Sequence, residues 1–380
     1  MVLLDNEDSP EDVVVEILSR LPVKSLIRLR CVCKSWYALI KNTNFISKHL
    51  KSDVNTRLLI IYAKEDDTDE HSYPKEYICL FPDETLEDLS LQDLSTQEPV
   101  LGSFKGLYCG IVFIEGIDHR ITLWNIATQE SITLPKYRAI IPQYTRVFRT
   151  NIGFGLDLKT KDYKVILILT LRDEKRDSLS AFFLVTVYTL CTKSWRNLKR
   201  LKSIPYPKPM RLSSERTYLD GIFYWLLELE IDNHSVILSF HMADEEFQQI
   251  QGPCIHGSLL EVTLGIFNQS LSVLLLDSVD HCFKIWVMRK KNWIKQLTVG
   301  PLIGIFQPLL FWKKGAFFVE SNSSQLLLYE LGTGELRDFE LDCCWFSIYI
   351  YTESLITLKG GEEVFDFGIP WHVLGVYQTE

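Results

Sequence analysis

Two hydrophobic periods divide the chain. In the first fifty residues apolar positions recur every three or four, and Val13, Val14, Ile17, Leu18 and Leu21 fall on one face of a helix. Ser9 suits the N-cap of that helix and Pro10 its first position, while Glu11 and Asp12 place negative charge at the positive end of its dipole. Pro22 is expected to end it, because proline disfavours helical geometry in the preceding residue. "VKSLIRLR" and "CKSWYALIK" read as a second and a third helix, and "NFISKHL" as a last short turn. From Arg57 onward the period falls towards two, as in β-strands.

One unit recurs in this second region. An apolar strand is followed by a polar turn with Thr, Asp, Gly or Asn, then by a strand that often opens on an aromatic. It is seen in "LFPDETLEDL" (80–89), "LWNIATQESITL" (123–134) and "VYTLCTKSWRNL" (187–198). It returns in "LSFHMADEEFQQI" (238–250), "WVMRKKNWIKQL" (286–297) and "LYELGTGELRDFEL" (328–341). These are hairpins, and more apolar pairs such as "YLDGIFYWLL" and "IFNQSLSVLLL" precede them. The apolar pairs are expected inward and the hairpins outward. Spacings of roughly 40–65 residues fall near the propeller range, so six units predict about six blades. "IYIYTESLITLK" would pair with the first blade and close the ring, which removes open sheet edges. A β-sandwich with extra hairpins is the rival arrangement. The fold class is thus α+β and multi-domain, with a helical head at 9–50 and an all-β, kelch-like body at 57–375.

Composition supplies enough core material, with 47% hydrophobic residues and 12% aromatics, the latter favouring strands. The net charge of −9 is uneven: residues 63–100 hold twelve Asp/Glu against two Lys, a balance of −10. Nucleic acid is therefore an unfavoured partner, since phosphate contacts need clustered Lys and Arg. The acidic stretch reads as solvated loop, or as a docking surface for a basic target. No apolar run is long enough to span a bilayer, and the acidic start is unlike a signal peptide, so a soluble intracellular protein is expected. The nine cysteines are scattered, and "CVC" (31–33) lacks a second pair at metal-binding spacing, so buried thiols are expected. No nucleophile elbow, Walker loop or His-x-x-x-His occurs. Catalytic residues, metal ligands and cofactors are accordingly expected to be none.

A head of about forty residues buries little core on its own. Apolar positions on it therefore suggest a docking module. "PEDVVVEILSRLPVKSLIRLRCVCKSWYALI" resembles an F-box, the segment that binds the Skp-type adaptor of cullin–RING ubiquitin ligases. The likeness rests on Pro10-Glu11-Asp12, Glu16-Ile17-Leu18, Arg20-Leu21-Pro22, Lys24-Ser25-Leu26, Cys31-Val32 and Lys34-Ser35-Trp36. It implies adaptor contacts from Pro10, Val14, Ile17, Leu18, Leu21, Pro22, Leu26, Cys31, Val32 and Trp36. Ser9 stands where F-boxes usually carry Leu, a loss of ~1.5–3 kcal/mol if that position is fully buried. Arg20, Lys24, Arg28, Arg30 and Lys34 make the surface basic, which suits an acidic adaptor.

The body resembles the F-box-associated interaction domain of plant F-box proteins, through "GFGLDLKTKDYKVILI" (153–168), "VYTLCTKSW", "YLDGIFYWL", "ILSFHMADEEF" and "IWVMRKKNW". "LWNIAT" departs from it, with Ile126 in place of the usual Pro. The order of motifs is also that of S-locus F-box and S-locus F-box brother proteins. The resemblance implies a non-catalytic substrate-recognition subunit of an SCF-type E3 ligase, cytoplasmic or nuclear, partnered by the adaptor and through it by cullin and RING subunits. It also implies a pollen role in self-incompatibility, recognising basic style ribonucleases. A non-ligase scaffold with a degenerate F-box is the alternative. Binding usually falls on loops of a rigid scaffold, so Glu65, Asp66, Asp67, Tyr137, Arg138, Tyr144, Arg146, Arg172 and Asp173 are the expected substrate contacts.

Overall fold

The structure, a computed structural model, describes residues 10–52, 56–64, 75–81, 103–115, 120–137, 141, 143–173, 181–198, 210–229, 234–254, 262–277, 279–312, 315–339 and 345–358. Ser9, Glu65, Asp66, Asp67, Arg138 and the expected hairpin beyond Phe81 lie outside them.

The head has four helices where three and a turn were expected: α1 (Pro10–Leu18), α2 (Val23–Leu29), α3 (Lys34–Lys41) and α4 (Thr43–Leu50). The fourth forms because the Asn42 side chain accepts the Asn44 N–H at 2.8 Å, capping an end that would otherwise expose unpaired donors. Pro22 does not end α1, which stops at Leu18. It stands at the N-cap of α2 instead, its carbonyl accepting from Ser25 and Leu26. Leu18, Val23, Leu26, Ile40, Phe45 and Ile46 are buried and form the head's core. Cys31 and Cys33 are exposed, contrary to the expected buried thiols, and Cys33 serves as the N-cap of α3.

The strands begin with β1 (Thr56–Lys64) and β2 (Lys75–Leu80). Next come β3 (Ser103–Tyr108), β4 (Ile111–Glu115), β5 (Ile121–Asn125) and β6 (Glu130–Thr133), which form one antiparallel sheet in that order. The second sheet holds β7 (Thr145–Asp157), β8 (Asp162–Asp173), β9 (Ala181–Thr189) and β10 (Ser194–Asn197). A third holds β11 (Met210–Leu219), β12 (Ile222–Leu229), β13 (His234–His241) and β14 (Glu246–Cys254). In the fourth are β15 (Val262–Phe267), β16 (Ser270–Asp277), β17 (Cys282–Arg289) and β18 (Asn292–Val299). β19 (Ile305–Trp312), β20 (Ala316–Ser321), β21 (Leu326–Glu330) and β22 (Leu336–Asp338) make the fifth. The last described strand, β23 (Trp345–Thr352), pairs with β1 in a three-stranded sheet ordered β2-β1-β23. Five complete four-stranded blades are therefore described, rather than six, and a sixth sheet has three described strands.

Each of the five complete sheets is a meander whose last two strands are one of the hairpins read from the sequence. Burial falls across them. In the fourth sheet nearly all of β16 is buried, β17 alternates and β18 is mostly exposed. That gradient explains why "SLSVLLLD" reads as a continuous apolar run while "CFKIWVMR" alternates. The hairpin turns repeat too: the N–H groups of Lys161, Lys193, Glu245 and Gly334 each donate four residues back, and each residue has a positive φ. The chain divides into two units, residues 1–134 with 349–380 and residues 135–348. In the first, Leu59, Ile61, Val112, Ile114 and Trp124 share a core with Tyr351.

Candidate recognition surfaces

On the head, the expected adaptor residues separate into two groups. Leu18 (2% exposed) and Leu26 are core residues and present no surface. Ile17 (57%) and Val32 (60%) are exposed, as are Pro22 and Cys31. Val14, Leu21 and Trp36 are half-buried, and the side chain of Pro10 lies outside the described atoms. Val13 and Tyr37 are exposed as well and were not among the expected contacts. The head also carries exposed ion pairs. Glu16 pairs with Arg20 at 2.8 Å and with Lys48 at 2.6 Å, and these partners hold its carboxyl below the usual range. The Cys33 thiol is also lowered, first by its hydrogen bond with Ser35 at 3.1 Å and then by the Trp36 N–H.

The second surface is built on β7 and β8, strands of 13 and 12 residues in a sheet whose outermost strand, β10, has only four. Residues 145–149 were expected in a loop but belong to β7, and Arg172 and Asp173 belong to β8. The far half of β7 is buried. Gly153 is required there, because a Cβ would come within 2.9 Å of the Trp225 ring of β12. The near half is solvent-facing: Arg146, Val147, Phe148 and Arg149 are exposed, with Tyr144 just before them at φ +65°.

Register defines what shares this face. Arg146 stands opposite Arg172, Arg149 opposite Thr170, and Asn151 opposite Ile168. Between Val147 and Arg149 the pairing slips, so Phe148 is an inserted residue. The bulge lets its ring lie under the Arg172 guanidinium, 3.4 Å from the ring centroid. The structure thus brings Tyr144, Arg146 and Arg172 to one end of the sheet. It does not bring Tyr137 there. Tyr137 packs edge-on against Trp195, which is in register with Tyr188, Val165 and Phe154, eight residues along β7 from Arg146. Sequence reasoning missed Phe148, Asn151 and Thr170, although "TRVFR" carries the Arg–aromatic alternation that could have marked a strand.

At its other end the same sheet carries a buried ion cluster. Lys164 Nζ lies 2.6 Å from Asp157 and 2.8 Å from Glu245, and donates to the Met242 carbonyl at 2.8 Å. Burial would raise the Asp157 carboxyl, but the ammonium of Lys164 and the N–H groups of Thr160 and Lys159 outweigh it and hold it at about 2. Every group is paired, so the cluster is a fastening and holds no poised acid or base. No cluster of three His, Cys, Asp or Glu suited to a metal occurs among the described residues. No helix among them is long and apolar enough to cross a membrane.

A helical head joined to meander blades is the architecture, and comparison with known proteins gives the families of both parts. The F-box domain family matches residues 10–48, and the F-box associated beta propeller domain family matches residues 104–373. The chain belongs to the plant F-box proteins that carry this all-β propeller domain. An F-box/kelch-repeat protein of Arabidopsis thaliana is 26% identical over 86% of this chain and 89% of its own length. A second Arabidopsis thaliana F-box protein is 24% identical over 92% of each chain. F-box protein CPR1 of the same plant is 24% identical over 91% of this chain and 88% of its own.

Proposed function

We propose that the protein is the substrate-recognition subunit of an SCF-type E3 ubiquitin ligase. The head holds a Skp-type adaptor, and through it the cullin and RING subunits, while the propeller selects a target protein. The observation that carries this reading is the exposed set Val13, Ile17, Val32 and Tyr37 on a head whose own core is already filled by Leu18, Val23, Leu26 and Ile40. Apolar area left outside a finished core gains about 25 cal/mol per Å² when a partner covers it. In this reading the chain contributes position rather than chemistry, holding a target lysine near the charged ubiquitin carrier in the cytoplasm or nucleus.

The likeness to S-locus F-box proteins supports a narrower reading, in which pollen protein captures style ribonucleases. Affinity capture from pollen and from leaf, with the proteasome inhibited, tests both levels. Adaptor, cullin and an accumulating target are expected together. Adaptor without cullin would point to a scaffold with a degenerate F-box.

A further inference from the structure

We propose that the Arg146–Arg172 end of β7 and β8 is the docking site for an acidic, extended segment of the target. This rests on the substrate-receptor reading above but uses residues remote in sequence from the adaptor surface. Like charges directly opposite on an antiparallel pair repel, and Arg146 faces Arg172 in register. Among the described residues neither has a salt-bridge partner. A carboxylate set between the two guanidiniums removes that repulsion and can accept from both. The Phe148 ring lies under the Arg172 guanidinium and restrains it, so one of the two forks is preorganised.

A second observation points the same way. The face continues inward to Asn151 and Thr170, both more than nine-tenths buried. The Asn151 amide nitrogen and the Thr170 hydroxyl have no hydrogen-bond partner among the described residues. Two buried groups able to donate, at the inner end of a row headed by two cations, suit a ligand rich in acceptors. From Arg146 to Asn151 the row spans about 16 Å, the length of roughly five extended residues. Exposed Tyr144, two residues before Arg146, adds apolar contact area at its open end. An acidic target differs from the basic one suggested by Glu65, Asp66 and Asp67, and from a basic ribonuclease.

The test uses the full chain bound to its adaptor and fluorescein-labelled deca-glutamate as probe. Anisotropy should rise with deca-glutamate and not with deca-lysine, and the effect should weaken with salt. Arg146→Glu with Arg172→Glu should lower affinity by about tenfold or more, with the thermal midpoint unchanged because both side chains reach solvent. Asn151→Leu, which keeps the shape and removes the donor, should also weaken binding. Equal binding by wild type and the Arg variant, or tighter binding of a phosphate-bearing peptide of the same length, overturns the proposal. Adaptor capture is a separate readout: its loss would count against the ligase reading, while loss of peptide binding alone counts against this one.

Discussion

The Val23 N–H donates to Glu353 Oε2 at 2.7 Å across 330 residues of sequence. The other carboxylate oxygen pairs with Arg57 of β1 at 3.1 Å. Val23 opens α2, so its N–H has no partner within the helix, and a carboxylate there also meets the positive end of the dipole. One side chain beyond β23 therefore fastens the helical head to the strand that follows it. Glu353→Ala should cost about 2–4 kcal/mol in chemical denaturation, because it strands both Arg57 and the Val23 N–H. Glu353→Gln keeps an acceptor and should cost less. Equal losses would mean that the charge is irrelevant.

His49 gives this corner a pH dependence. It is fully buried, and its Nε2 lies 2.9 Å from the Leu21 carbonyl oxygen. Burial pushes its pKa below the ordinary 6.5, and the Leu21 carbonyl and the Glu353 charge only partly oppose this. The folded state therefore prefers the neutral ring. As pH falls through 6.5 the unfolded chain takes up the proton first, so stability present above that value declines towards the lowered folded pKa. Denaturation midpoints should fall between about pH 7 and 5.5, above the carboxylate range. His49→Gln should be less stable throughout and show a flatter slope. Parallel slopes would exclude His49 as the cause.

The Lys164 ammonium serves two carboxylates, buried Asp157 and half-buried Glu245, the latter also paired with Arg196. Lys164→Met should cost about 3–5 kcal/mol, since it leaves buried charge uncompensated. With Asp157 held at about 2, its contribution is complete above 3.8 and is lost as pH falls through about 2. Removing the ammonium should move that loss to higher pH, visible as an earlier acid transition by circular dichroism. Adding Asp157→Asn to Lys164→Met should recover part of the stability, and a purely additive double variant would contradict the pairing.

Asn125 anchors the segment after β23. Its amide nitrogen donates to Ser354 O at 2.9 Å and Ile356 O at 2.8 Å, while its Oδ1 accepts from Ala127 N at 3.0 Å and Thr128 N at 3.3 Å. Fully buried, it has no substitute partner in water. Asn125→Asp turns the double donor into an acceptor facing two carbonyls and should destabilise by about 2–4 kcal/mol. Faster hydrogen exchange should be confined to residues 354–358 and their neighbours. Uniform exchange across the chain would contradict so local a role.

The blades were legible because turn chemistry and period agreed. Asp220 and Gly221, both at positive φ, make the tight β11–β12 turn that "DG" announces. Lys290 and Lys291 make the same kind of turn without a turn residue, at φ +49° and +67°, and were found only because apolar strands flank them. The candidate recognition surfaces were less legible. Ile17 and Leu18 are neighbours on one helix, yet one is exposed and the other buried. Helical period gives an apolar stripe but cannot say which flank meets the core and which is left for a partner. "TRVFR" was read as loop because its apolar residues serve no core, and the bulge at Phe148 depends on a pairing that no local pattern records.

The central claim is that the head's exposed apolar set binds a Skp-type adaptor. Calorimetric titration of the full chain with a plant adaptor measures this directly. Micromolar or tighter binding is expected for the wild type. Ile17→Asp with Val32→Asp should remove it while the melting temperature holds, because both side chains already face solvent. Substituting Leu18 instead would unfold the head and could not discriminate. No binding by the wild type, or equal binding by the Ile17→Asp, Val32→Asp variant, would contradict the claim.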